Sequence, residues 1–227
     1  HLRNTNQSAM FPLVEIMPSE AEYDFFDDSN FYTIVEHNGA KYIIFQLELW
    51  PRAAILDWFN TTISQHKDKY AVVYTVSMID EKGEMYTMWD WEATGGKVVT
   101  GDSTSKLRSL NVAGDGEPRD GNQIWNYAFS KHDNILAVIT SFPTTDDIVM
   151  SSVKNQRGCE TALIAANSTN GLDAKYGPLP LLTKFSEDNK TITCYYLVPF
   201  EGMLKSKSIT LNKIGTLAEP LIDESLP

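Results

Sequence analysis

The sequence predicts an all-β chain, an antiparallel β-sandwich or barrel with few short helices. Three observations carry that expectation. Apolar residues alternate with period two over most of the length. Strand-like runs recur at short intervals, punctuated by Gly, Asn and Asp turns. The hydrophobic fraction of 42%, with 11% aromatic residues, belongs to a packed chain and excludes a disordered one. At 227 residues the chain can bury an ample core in one large domain. The organisation expected is a single β-rich domain over 1–227, with an extended N-terminal segment over about 1–30 and a C-terminal tail over about 214–227.

Taken in order, "FYTIVEHNGAKYIIFQLELW" reads as two strands joined through His37-Asn38-Gly39-Ala40, where Asn-Gly supplies the positive φ of a tight hairpin. "RAAILDWFNTTISQH", after Pro51, has the composition of a short helix. "YAVVYTVSMIDEKGEMYTMWDW" repeats the hairpin design around Asp80-Glu81-Lys82-Gly83. The acidic loop "GDGEPRDGN" separates this region from "QIWNYAFS", read as a strand, a turn at Lys131–Asn134, and the strand "ILAVITSF". "CETALIAAN" fits helix or strand. "LLTKF" and "KTITCYYLVPF" flank a turn at Ser186–Asn189, and "KSITL" adds a last strand.

Charge excludes one class of partner. The net charge is −11, and Lys97, Lys106, Arg108, Lys205, Lys207 and Lys213 are scattered rather than clustered. Such a field repels phosphate backbones, so no nucleic-acid partner is expected. No apolar run reaches the roughly 18 residues that cross a bilayer as a helix, so no transmembrane segment is expected in this chain. Asn6, Asn60, Asn167 and Asn189 each open an N-x-[ST] sequon, an excess over chance. They predict an extracellular or cell-surface glycoprotein with Asn60, Asn167 and Asn189 exposed. In that compartment Cys159 and Cys194, both in strand-like runs, are expected to form a disulfide between neighbouring strands.

Candidate sites follow from residue type. Asp115, Glu117, Arg119, Asp120 and Asn122 lie in the Gly-rich acidic loop, where carboxylates could in principle surround calcium. The EF-hand order is absent and Arg119 competes for the same carboxylates, so the loop is expected to contact a partner rather than hold an ion. "EMYTMWDWEA" alternates Asp90 and Glu92 on one strand face with Trp89 and Trp91 on the other. Acids beside tryptophan are the elements of glycoside hydrolysis, although catalytic pairs need placement across a cleft. Trp89, Trp91, Trp125 and Tyr127 are candidates for an aromatic ligand surface.

His1, His37, His66 and His132 share no metal-ligand spacing, and neither a G-x-S-x-G elbow nor a P-loop occurs. No metal or other cofactor is therefore expected. The stretch "YTIVEHNGAKYIIFQLEL…MWDWEATGGKVVTGD" bears a faint resemblance to DOMON-type extracellular sandwiches, which often bind haem or sugar; their Met and His ligands match no position here. The expectation is a non-catalytic binding protein for a protein, a glycan or a small apolar ligand. A carrier with an enclosed aromatic cavity and a glycan-active enzyme using Asp90 and Glu92 are the alternatives.

Overall fold

The computed structural model describes residues 22–27, 30–37, 39–48, 51–80, 82–85, 120–142, 145–167, 181–198 and 202–218. Two sheets are built from ten strands among these residues: β1 Glu22–Asp27, β2 Asn30–His37, β3 Ala40–Gln46, β4 Tyr70–Ser77, β5 Ile135–Phe142, β6 Thr145–Lys154, β7 Glu160–Asn167, β8 Leu181–Phe185, β9 Thr191–Val198 and β10 Gly202–Thr210. The large sheet has the order β1-β2-β3-β4-β5-β7-β6, and the small one β10-β9-β8.

The β2–β3 hairpin forms as its sequence requires: His37 opposes Ala40, and Gly39 takes φ 76°. From β3 onward the sheet changes character. β3 pairs with β4, β4 with β5, and β5 with β7, all in parallel, while β6 closes one edge antiparallel to β7. Parallel neighbours need crossovers, and helices lie in the first two. Helix α1, Ala53–Gln65, buries Ile55, Leu56, Phe59, Thr62 and Ile63, a stripe at helical spacing. Helix α2, Gly121–Tyr127, and a following 3-10 turn at Phe129–Lys131 precede β5.

The two faces of the large sheet are covered differently. Ile43, Phe45, Ala71, Val73, Val138 and Leu163 pack against α1 and α2 in one core. Val72, Ala137, Ile139, Ala162 and Ile164 turn the other way and meet Ile192, Cys194 and Tyr196 of the small sheet. The middle strands are thus buried on both faces, and "ILAVIT" and "TALIA" are continuous apolar runs for that reason. Phe59 centres the helix-side core, with its ring 4.6 Å from Phe45 and 5.0 Å from Phe129.

The chain is mostly β with few short helices, in two sheets, but the large sheet is mixed rather than antiparallel. Among the described residues no barrel closes. Alternation alone cannot tell whether the next strand returns by a hairpin or by a crossover, and the crossovers decided it. "QIWNYAFS" is helical, not a strand. Asp120 caps the helix by accepting from the Gln123 N–H at 2.7 Å, and Ile124, Trp125, Ala128 and Phe129 form one buried face. "CETALIAAN" resolves as strand β7. Residues 211–218 run along the fold: Leu211 is buried, Lys213 C=O accepts from Glu160 N–H, and Ala218 N–H donates to Lys67 C=O.

The disulfide expectation is overturned: Cys159 and Cys194 are both free and buried. Cys194 lies on β9 of the small sheet and packs in the core cluster that contains Ile139 and Ile164, while Cys159 precedes β7 of the large sheet. A disulfide tolerates no more than about 7 Å between Cα atoms.

Two outcomes test this packing. Phe59→Ala should destabilise the fold by about 3–5 kcal/mol, read by urea denaturation, because it leaves a cavity at the meeting point of α1, β3 and the 3-10 turn. Without reductant, both cysteines should resist alkylation in the native protein and react fully in denaturant. A mass showing neither thiol alkylated after unfolding would restore the disulfide.

Candidate functional site

The small sheet is narrower than the sheet it covers. Its edge strand β8 ends the cover, and past β8 the face formed by Val35, Tyr42, Ile44 and Tyr74 floors a groove of about 1030 Å³. Parity explains the floor. On β3, Ile43 and Phe45 turn to the helix layer, so Tyr42 and Ile44 take the opposite face, and Val35 lies beside Tyr42 by register.

The run Leu181–Glu187 also lines this groove, with residues of both parities. Leu181 and Phe185 pack inward on the small-sheet core, while Leu182 faces out and is 51% exposed. The space therefore follows the edge of β8 rather than one of its faces. Among the described residues the outer edge of β8 pairs with no strand. Val35, Tyr74 and Leu182, three of the four exposed large hydrophobic residues described, line this one groove.

Aromatic contacts set the groove's inner end. The Tyr42 ring stands 6.1 Å from Tyr70 and 6.0 Å from Phe185. Its hydroxyl donates to Asn189 Oδ1 at 2.8 Å, which pins the β8–β9 turn onto the large sheet. Burial pushes the Tyr74 hydroxyl above its ordinary range, and the nearby Cys194 adds to that. Burial likewise pushes the Cys194 thiol up, partly countered by the Thr183 hydroxyl. Both groups stay protonated at neutral pH. Among the described residues, the charged ones lining the groove are Lys184 and Glu187.

The carboxyl ends of parallel strands are the usual place for a ligand in such a sheet. There the described residues form a closed polar network instead. The Glu48 carboxylate accepts from the Arg52 backbone N–H at 3.2 Å, from Arg52 Nε at 2.8 Å and from Asn30 Nδ2 at 3.4 Å. Asn30 Oδ1 accepts from Glu48 N–H at 2.9 Å, and Thr75 Oγ1 donates to Glu48 C=O at 3.0 Å. These bonds fix the start of α1, whose cap residue Arg52 makes no side-chain cap bond. Among the described residues no group of His, Cys, Asp or Glu is arranged to hold a metal ion.

The sequence candidates are dispersed. Trp89, Asp90, Trp91, Glu92, Asp115, Glu117 and Arg119 lie outside the described residues. Asp120 and Asn122 belong to the start of α2, and Asn122 bonds Asn126. Trp125 is buried in the helix-side core rather than at a ligand surface. Tyr127 is exposed on α2, donates to Asp57, and lies under the Lys131 ammonium at 5.1 Å. Asn60 sits within α1, half-buried. Asn189 is 4% exposed, so the expectation of an exposed side chain fails there; its φ of 58° and its bond to Tyr42 turn it inward. Asn167 ends β7, and its side chain lies outside the description.

Sequence reasoning missed the groove because Val35, Tyr42 and Leu182 come from strands far apart in sequence. The only available signal was that Tyr74 and Tyr195 fall in strands where one parity is already apolar. No family model, curated protein or solved structure matches the chain.

On the helix side, His132 has an environment that makes it a pH reporter. Burial lowers its pKa from 6.5 to about 4, and Lys131 and Lys67 push the same way. The neutral ring donates Nε2–H to Asn60 Oδ1 at 2.8 Å. The unfolded chain then binds a proton at His132 between pH 6.5 and about 4 that the folded chain refuses. Stability is full above that window and falls as pH is lowered through it, by on the order of 1–2 kcal/mol after allowance for solvent screening. His132→Gln should remove that part of the acid sensitivity in denaturation curves; an unchanged slope between these pH values would refute it.

Proposed function

We propose that the chain is a non-catalytic binding protein that recognises another polypeptide by strand addition at β8. The observation that carries this reading is the groove along the β8 edge, lined on both faces of that strand. An extended chain there finds backbone N–H and C=O groups turned outward at alternate residues of β8. It also finds an apolar floor for every second side chain, at Val35, Tyr42, Ile44 and Tyr74. Main-chain bonds would supply affinity and the aromatic floor specificity. An extracellular or cell-surface setting belongs to the same proposal and rests on the sequons at Asn6, Asn60 and Asn167.

The aromatic lining of Tyr42, Tyr74 and Tyr195 favours a second reading, a small apolar ligand lying in the groove. The groove opens to solvent at Val35, Tyr74 and Leu182, so such a ligand would be held on one side rather than enclosed.

Selection from a displayed library of short random peptides separates the two. Strand addition predicts selected peptides with apolar residues at alternate positions. N-methylation should abolish their binding at one parity and spare it at the other, and Tyr74→Ala should weaken it about tenfold. Peptides that bind equally well when N-methylated at either parity would sink the strand reading. A small apolar fluorophore that binds the groove and is not displaced by the peptides would favour the second.

A further inference from the structure

The structure assigns a second binding site, for a phosphate or sulfate group, to a cavity at the amino ends of the parallel strands on the helix side of the large sheet. The cavity measures about 440 Å³, and Asn60, Lys67, Lys131, His132, Asp133 and Arg157 are among its lining residues. This site is independent of the groove, which lies on the opposite face of the sheet.

Its three cations come from three separate places in the chain: the end of α1, the 3-10 turn, and the turn between β6 and β7. Their convergence is unexpected in a chain of net charge −11. The one carboxylate among the described lining residues, Asp133, is already answered. Asp133 Oδ2 accepts from Arg157 Nη1, and its Oδ1 accepts from Asn155 Nδ2 at 2.7 Å. With Asp133 neutralising one cation, the described lining residues keep a net positive charge, carried by Lys67 and Lys131.

The ring of His132 reads that field. Burial is the largest cause of its low pKa, and Lys131, Lys67 and Arg157 all act on it as repelling charges, against Asp133 alone in the other direction. A tetrahedral oxyanion is the ligand that such a field favours, because its several oxygens can accept from the Lys67 and Lys131 ammonium groups. A cavity of this size leaves room beyond the oxyanion itself, so the natural ligand is a small phosphorylated or sulfated molecule rather than the bare ion.

The test uses the whole chain and inorganic phosphate, with the His132 ring followed by NMR across a pH titration. Saturable phosphate binding should raise the His132 pKa, since the bound anion offsets the repelling cations. Lys67→Ala with Lys131→Ala should weaken phosphate binding about tenfold, the scale of two screened ion pairs. These exposed lysines lie outside the core, and an unchanged thermal midpoint would confirm that the variant folds. Sulfate behaving like phosphate supports a site that reads charge and shape, whereas phosphate alone supports one selective for phosphate. A pKa rise reproduced by chloride at matched ionic strength, or a phosphate response kept intact in the double variant, overturns the site.

Discussion

Burial of the central parallel strands on both faces is the constraint on which the rest of the structure depends. Most of the described length of β4, β5 and β7 is covered on both faces, Tyr74 excepted: Ala71, Val73, Val138 and Leu163 are taken by the helices, and Val72, Ala137, Ile139 and Ile164 by the small sheet. Parallel pairing forces crossovers, and the helices in those crossovers are the material that covers one face. The small antiparallel sheet covers the other. Each layer is marginal alone and is held by the strands between.

Polar side chains finish the ends of those strands. Asn134 donates to the carbonyls of His66 and Lys69, closing the chain's return from α1 into β4. Asn155 donates to His132 C=O and accepts from the N–H groups of Arg157 and Cys159, which sets the turn into β7. Glu160 fastens the C-terminal segment, accepting from Asn212 N–H at 2.6 Å; these bonds hold its carboxyl below the usual range. At the opposite ends of the strands, Glu48, Asn30 and Thr75 do comparable work. Buried polar groups matched in this way serve the fold.

The groove itself is a consequence of unequal sheet widths. Among the described residues seven strands face three, and the part left uncovered falls where β8 ends the smaller sheet. A strand edge that pairs with no described strand, beside exposed aromatic and aliphatic residues, is a hazard in a protein with no partner for it. Its presence beside Val35, Tyr74 and Leu182 is the physical basis for reading it as an interface.

Local structure is legible in the sequence where the signal is local. The Asn38-Gly39 hairpin, the α1 helix after Pro51, the Ser186–Asn189 turn and the β-rich character with few helices were all legible. The sequence misread "QIWNYAFS", because aromatic residues favour strands until a cap such as Asp120 fixes the helical register. It read Cys159 and Cys194 as a pair because both lie in strand-like runs, though the two strands belong to different sheets. The parallel order, the inward turn of Asn189 and the joining of Val35, Tyr42, Tyr74 and Leu182 in one groove were decided by tertiary structure alone. Period two specifies which side chains share a face of one strand; which strands become neighbours depends on crossovers and layer packing, and those contacts are made between residues far apart in the chain.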